Sequence, residues 1–162
     1  MISAFARDRV IGGDKGGIPW RLPRDTEHFR GYTRDKFMLL GRRTFLEMAG
    51  WFTTQRPIVL TTNASFTAPG ALVAGSVPGA IALAEAEGAD ELVVSGGASV
   101  YAAALPVSNR LILTMIDAAI PGVAFFPDYE ASGSWKTLSS RSFPPDEANR
   151  YGMTFVELER LA

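Results

Sequence analysis

Phe37-Met-Leu-Leu-Gly-Arg-Arg-Thr44 reads as a strand that runs straight into a helix. Four consecutive apolar residues without alternation fit a strand buried on both faces, as central parallel strands are. Gly41 ends the run, and Arg42 to Met48 has the pattern of a short helix. The design returns at Glu91-Leu-Val-Val-Ser-Gly-Gly-Ala-Ser99. There Glu91 to Val94 is the strand, and Ala98 to Leu105 is a helix stopped at Pro106. Strands alternating with short helices predict an α/β fold on a mostly parallel sheet.

Working outward, Met1 to Ala6 is a short apolar strand. Pro57 to Leu60 is another, ending at Thr61-Thr62, and Ala71 to Ala74 is read as a fourth. Val77 to Glu87 is Ala-rich and helical, stopped by Gly88. Arg110 to Ile116 is a strand, and Trp135 to Ser142 and Tyr151 to Leu158 alternate as an antiparallel pair should. The expected architecture is a three-layer α/β sandwich whose central, mostly parallel sheet carries an antiparallel C-terminal strand. One domain over 1–162 is expected at this length.

Composition removes whole classes of function. The net charge is -1 and the pI about 5.8, which leaves no basic footprint for nucleic acid. There is no cysteine, so disulfides, a thiol nucleophile and cysteine-based metal sites are out. The single histidine, His28, excludes a His-rich zinc site and argues against a Ser-His-Asp triad. No apolar run is long enough to span a membrane. The N-terminus reads as a strand, not a signal peptide, so a cytoplasmic protein is expected.

Loops that follow parallel strands are where ligands bind. Gly41-Arg42-Arg43-Thr44 offers free helix-start N–H groups, two arginines and a hydroxyl, which suit a phosphate; a solvated turn is the plain alternative. Ser95-Gly96-Gly97-Ala98-Ser99 is a second strand-to-helix turn. It lacks the third glycine of the dinucleotide fingerprint, so a standard Rossmann site is not supported. Together the two turns fit a ligand with several phosphates, such as a dinucleotide.

Asp8 to Phe29, DRVIGGDKGGIPWRLPRDTEHF, supplies a different chemistry. Its glycines (Gly12, Gly13, Gly16, Gly17) precede Ile18-Pro19, not the Lys-Ser/Thr of a phosphate-binding P-loop, so a mobile lid is the functional reading. Pro23 and Asp25 mark a helix start. Phe29 lies at i+4 from Asp25 and Trp20 just upstream. A carboxylate among aromatic rings is desolvated, its pKa rises, and it suits a cationic or amidine-like group. Alone, Asp25 reads as a helix-start acid, and His28 reads as an exposed or rim residue. Arg56 has the right chemistry to clamp a carboxylate, though a lone arginine is usually a surface charge.

These motifs resemble those of bacterial dihydrofolate reductase. The resemblance rests on Asp8-Arg-Val-Ile-Gly12, Ile18-Pro-Trp-Arg-Leu-Pro23 with Asp25 and Phe29, and Gly41-Arg42-x-Thr44. Ser95-Gly-Gly97 with Val100-Tyr101, Thr114-x-Ile-Asp117 and Phe126-Pro-Asp-Tyr129 complete it, in order over nearly the whole chain. It implies reduction of 7,8-dihydrofolate to tetrahydrofolate, with hydride passing from NADPH to pterin C6 and N5 protonated. Asp25 would hold the pterin and promote that protonation, Thr114 would hydrogen-bond Asp25, and Trp20 would close the pocket. Backbone carbonyls of Ile2 and Ser95 would edge the rings, Phe29 and Met48 would pack on the aminobenzoyl ring, and Arg56 would bind the glutamate α-carboxylate.

On the cofactor side, Ala4, Ile11 and Gly12 would border the nicotinamide with Tyr101 beside it. Gly41, Arg42, Arg43, Thr44, Gly96, Gly97, Ala98, Ser99 and Val100 would hold phosphates across a cis Gly96-Gly97 peptide. Thr61 and Thr62, with the two arginines, would favour NADP over NAD. The family implies a monomer acting on small molecules and bound by antifolates. Ser95 stands where an aliphatic residue is usual, the glycine loop is one residue longer, and Val123-Ala124 replaces an acidic residue and a threonine. Altered trimethoprim sensitivity is expected from these departures. A pyrimidine reductase of riboflavin synthesis lacks the Trp20, Asp25 and Phe29 set. A non-catalytic folate- or nucleotide-binding module would have no use for it.

Overall fold

The computed structural model describes residues 1–162. In chain order the first strands are β1 (Ile2–Phe5), β2 (Val10–Gly12), β3 (Phe37–Gly41), β4 (Arg56–Leu60) and β5 (Leu72–Ala74). They are followed by β6 (Leu92–Val94), β7 (Arg110–Ile116), β8 (Ala124–Phe125), β9 (Trp135–Phe143) and β10 (Met153–Arg160). The helices are α1 (Pro23–Thr33), α2 (Arg42–Glu47), α3 (Val77–Ala86) and α4 (Ala98–Ala104). The chain divides into two compact units, Met1–Phe29 with Leu105–Ala162, and Arg30–Ala104.

The first unit is built on a sheet ordered β1-β7-β10-β9. β1 runs parallel to β7 with Ala4 beside Thr114, and β10 runs antiparallel to β7 with Phe155 opposite Thr114. Directly paired residues share a face, so Ala4, Thr114 and Phe155 form one row across three strands. β2 and β8 pair as a separate ribbon. Between β1 and β2 lies a turn of 3-10 helix, Arg7–Arg9, in which Asp8 and Arg9 take left-handed φ values of 59° and 61°.

In the second unit the sheet order is β5-β4-β3-β6 and every pairing is parallel. β3 lies between β4 and β6, and Met38, Leu39 and Leu40 are fully buried. That burial on both faces is the physical reason for its unbroken apolar run. α2 follows β3 and α4 follows β6, so each glycine turn lies at the carboxyl end of its strand.

The α/β class, the mostly parallel pairing and the antiparallel C-terminal strands are as expected from sequence. The fourth expected strand is present as Leu72–Ala74, one residue shorter. The β2–β8 ribbon and the 3-10 turns are additions. Three and two residues are too few for a periodic pattern to register.

Candidate active site

In the first unit several residues singled out from sequence gather around the row Ala4, Thr114 and Phe155. Trp20 packs with Phe155 against the buried cluster Leu22, Ile116 and Met153. α1 begins at Pro23, whose missing N–H and fixed φ suit a first turn. Its start is tied down from the far end of the chain. The Arg24 amide donates to Asn149 Oδ1 at 3.0 Å, and the Arg24 guanidinium pairs with Asp146 at 2.8 Å. Asp146 is in turn held by Asn149, whose side chain and backbone lower its pKa to about 2. This clamp fixes the turn that carries Asp25.

Burial pushes the Asp25 carboxyl up from 3.8 to about 6, against a hydrogen bond from Thr114 that lowers it. Desolvation dominates because few polar neighbours stabilise the charged form. The group therefore holds a proton in a range where an ordinary aspartate is ionised. One turn on, the His28 ring stacks on Phe155 with centroids 4.1 Å apart. His28 is half-buried: burial lowers its pKa, and its Nε2 is buried without a hydrogen-bond partner. Trp20 Nε1 is likewise buried and unpartnered.

In the second unit the two glycine turns are packed on one another. The Gly41 amide donates to the Gly96 carbonyl at 2.8 Å, and the Ser95 amide to Leu39 at 2.9 Å. The Gly96-Gly97 peptide is cis and Gly96 has φ of 112°. Space for a side chain is tight here. A Cβ on Gly96 would lie 3.2 Å from the buried Tyr101 ring, one on Gly97 3.1 Å from Thr44 Oγ1, and one on Gly41 3.2 Å from Val100. Gly41 caps α2 without any side-chain hydrogen bond. The N–H groups of that first turn are therefore not taken up by a capping side chain, and Arg42 and Thr44 flank them.

Residues 1–160 match the family model described as dihydrofolate reductase. The chain belongs to the dihydrofolate reductase family. It is 39% identical to the dihydrofolate reductase type 3 of Salmonella typhimurium over 160 residues, covering 99% of this chain and 96% of that protein. It is 31% identical to the Bacillus subtilis dihydrofolate reductase, covering 99% and 93%. A solved dihydrofolate reductase from Enterococcus faecalis, complexed with NADP(H) and RAB-propyl, superposes with a TM-score of 0.86. That structure is 32% identical, with 99% of this chain and 95% of the other covered.

The remaining residues singled out from the family pattern fall into place unevenly. Ile2 is buried in β1, and Ala4 is half-buried beside Thr114. Ile11 and Gly12 lie in β2, where the Gly12 carbonyl accepts from the Val123 amide at 3.0 Å. The glycine loop closes on itself through Gly13 to Gly17 at 3.1 Å. Phe29 is half-buried on α1, and Met48 closes the end of α2. Thr61 bonds the Ala74 carbonyl and accepts from Asn63, while Thr62, Ser99, Arg42 and Arg43 are exposed; Arg43 pairs with Glu47. Ala98 opens α4.

Ser95 is buried and turns its hydroxyl back to the Val93 carbonyl at 3.2 Å. Arg56 pairs with Glu87 at 2.7 Å and lies over the Phe37 ring. Sequence reasoning passed over Asn149, Asp146 and Arg24 entirely. Their only signal is an Asp-x-x-Asn turn more than a hundred residues from the helix it holds.

Proposed function

We propose that this chain reduces 7,8-dihydrofolate to tetrahydrofolate with NADPH, acting as one catalytic domain over 1–162. Membership of the dihydrofolate reductase family gives the reaction, and the observation that carries it here is Asp25, a carboxyl held protonated to about pH 6 against Thr114. A pyrimidine reductase or an inert binding module has no need of that proton.

Asp25 is assigned to the pterin 2-amino group and N3, where a carboxyl matches an amidine-like edge with two hydrogen bonds. Its raised pKa keeps a proton at the site and promotes protonation of N5 near neutral pH. Thr114 orients the carboxyl. Trp20, anchored on Leu22, Ile116 and Met153, excludes water. Ile2 and Ser95 are assigned to the ring edges through their carbonyls, and Phe29 and Met48 to the aminobenzoyl ring. Ala4, Ile11, Gly12 and Tyr101 are assigned to the nicotinamide.

NADPH, when bound, supplies the hydride that pterin C6 accepts. The chain fits that cofactor at its two glycine turns. The uncapped start of α2 and the close-packed Gly96-Gly97 turn leave backbone free to approach phosphate. Gly41, Arg42, Arg43 and Thr44 are assigned to one set of phosphate oxygens. Gly96, Gly97, Ala98, Ser99 and Val100 are assigned to the other, and Thr61 and Thr62 to the ribose phosphate that separates NADP from NAD.

The reading extends to a cytoplasmic monomer acting on small molecules and bound by antifolates, with altered trimethoprim response. It is supported by the absence of cysteine, by the small net charge and by a helix set in which none is long and apolar enough to cross a membrane. The deciding experiment is NADPH oxidation by the purified chain with dihydrofolate. Turnover with NADPH well above that with NADH is expected; no turnover would overturn the proposal.

A further inference from the structure

His28 is the chain's single histidine, and the reaction as assigned gives it nothing to do. It stands on α1, three residues after Asp25. Residues three apart on a helix are surface neighbours, about 5–6 Å apart at Cβ. Both lie against one row of the first unit's sheet. The row Ala4, Thr114 and Phe155 continues across β9 to Arg141. Asp25 takes its hydrogen bond from Thr114, and the His28 ring stacks on Phe155 at an interplanar angle of 11°. Thr114 and Phe155 are directly opposed in the β7–β10 pair, so two helix neighbours rest on two strand neighbours. Acid and imidazole are held side by side by the sheet as well as by the helix.

Nε2 of that ring is buried and bonds no protein group, and a buried polar nitrogen that protein does not satisfy is satisfied by solvent. The charged groups around it narrow what it can answer to. On α1, Arg24 is paired with Asp146, and Glu27 is exposed. β7 brings no titratable side chain at Ile112, Thr114 or Ile116. On β10, Glu157 is paired with Arg110, and in the loop before it Arg150 lies over Tyr151 at 5.4 Å. On β9, the Arg141 guanidinium lies over Phe143 at 4.8 Å. Asp25 is the acid left on that face, and a gap of one helical turn is within the span of one water. Burial acts on both groups in opposite senses, raising Asp25 to about 6 and holding His28 below its ordinary 6.5. Neighbours placed in this way titrate together.

We propose that His28 is a positioning residue of the acid site: over one bridging water its Nε2 shares a proton with the Asp25 carboxyl, and so sets the pH up to which that acid stays loaded. The inference rests on the reductase reading and deepens it by naming the group that regulates its acid. The exchange moves protons alone. From the doubly protonated pair one proton leaves for solvent; the other sits on the carboxyl beside a neutral ring, or on the ring beside a carboxylate. The bridge donates to the carboxylate, so it favours the anion, as Thr114 does.

The test uses the whole enzyme with His28→Phe, which keeps a ring for Phe155 and removes both nitrogens, and His28→Gln, which keeps a polar end that cannot titrate. In the wild type the His28 ring carbons, followed by NMR, are expected to move in two steps, one of them tracking Asp25 near 6. In Asp25→Asn a single step at lower pH remains. In His28→Phe the Asp25 titration and the alkaline limb of kcat/KM move together to higher pH, by about half a unit to one unit. On the acid plateau kcat stays within about twofold, whereas a packing defect would lower kcat and leave the limb in place. His28→Gln keeps the bridge and holds the limb near its wild-type position. A one-step His28 titration that ignores Asp25→Asn, or an Asp25 titration unmoved in His28→Phe, overturns the inference and leaves the reductase standing. Should the phenylalanine variant fail to fold, the second step of His28 and its loss in Asp25→Asn decide alone. Reciprocal titrations in a chain that oxidises no NADPH with dihydrofolate would sink the reductase reading and leave the proton-sharing pair in place.

Discussion

The two units carry chemistry of opposite construction. In the first, the proposed chemistry is concentrated in one side chain: Asp25, whose proton is retained because burial outweighs the Thr114 hydrogen bond. In the second, it depends on missing side chains. Gly41, Gly96 and Gly97 leave room that a single Cβ would take from Val100, Tyr101 and Thr44. A site built on a carboxyl is sensitive to what the group is, whereas one built on backbone is sensitive to what is added. Substitutions in the two units are therefore expected to fail in different measurements, the first in rate and the second in cofactor affinity.

The largest effect is expected from Asp25→Asn, which keeps the shape and removes the titrating proton. At neutral pH kcat/KM for dihydrofolate falls by about 10²- to 10⁴-fold, the usual range for a positioned acid or base. The dissociation constant for NADPH stays within about twofold. The same variant changes stability in a pH-dependent way. The folded pKa of Asp25 lies above its ordinary value, so its proton stabilises the folded chain fully below about pH 4, and that contribution is lost as pH rises through about 6. Above pH 6 the asparagine variant is expected to be the more stable one in urea unfolding, by on the order of 2 kcal/mol. A joint loss of rate and NADPH affinity would erase the separation between the units.

Gly96→Ala probes the other construction. Gly96 has φ of 112° and a Cβ would meet the buried Tyr101 ring, so strain and crowding act together, at about 1–3 kcal/mol. NADPH affinity is expected to drop about 10- to 100-fold as the turn shifts. The Asp25 titration, followed by its side-chain carboxyl carbon in NMR, stays near 6. A displaced Asp25 titration in this variant would show that the acid site and the glycine turns are not independent.

How much of this was legible in the sequence follows from the same contrast. β3 and β6 announced themselves because burial on both faces leaves an unbroken apolar run, and the glycines at their ends are visible one by one. Asp25 could be suspected from Trp20 and Phe29, which lie within one helical turn or the loop before it. What holds Asp25 could not. The Asn149 side chain that caps the first turn of α1 is 125 residues from Arg24, and no local pattern encodes that contact. The stacking of His28 on Phe155, from the last strand, was out of reach for the same reason. Arg56 reads as a free cation until Glu87, 31 residues on, is seen to bind it. Side chains whose role is set by a distant partner are illegible in a single sequence; runs, turns and their spacing are not.

The smallest effect sharpens the acid site by removing only one hydrogen bond. Thr114 is buried in the row Ala4, Thr114 and Phe155, and its bond is what keeps the Asp25 pKa from rising further. Thr114→Val is nearly isosteric and deletes the hydroxyl. The carboxylate then loses its stabilising partner while desolvation is unchanged, so the Asp25 pKa moves above 6. The alkaline limb of the kcat/KM profile is expected to move to higher pH by about half a unit to one unit, with NADPH affinity unaltered. Thr114→Ser keeps the hydroxyl and should leave the limb near its wild-type position, which separates the hydrogen bond from a packing defect. If the valine variant shifted the limb to lower pH, Thr114 would be favouring the protonated acid instead. The balance between burial and hydrogen bonding that defines this unit would then run the other way.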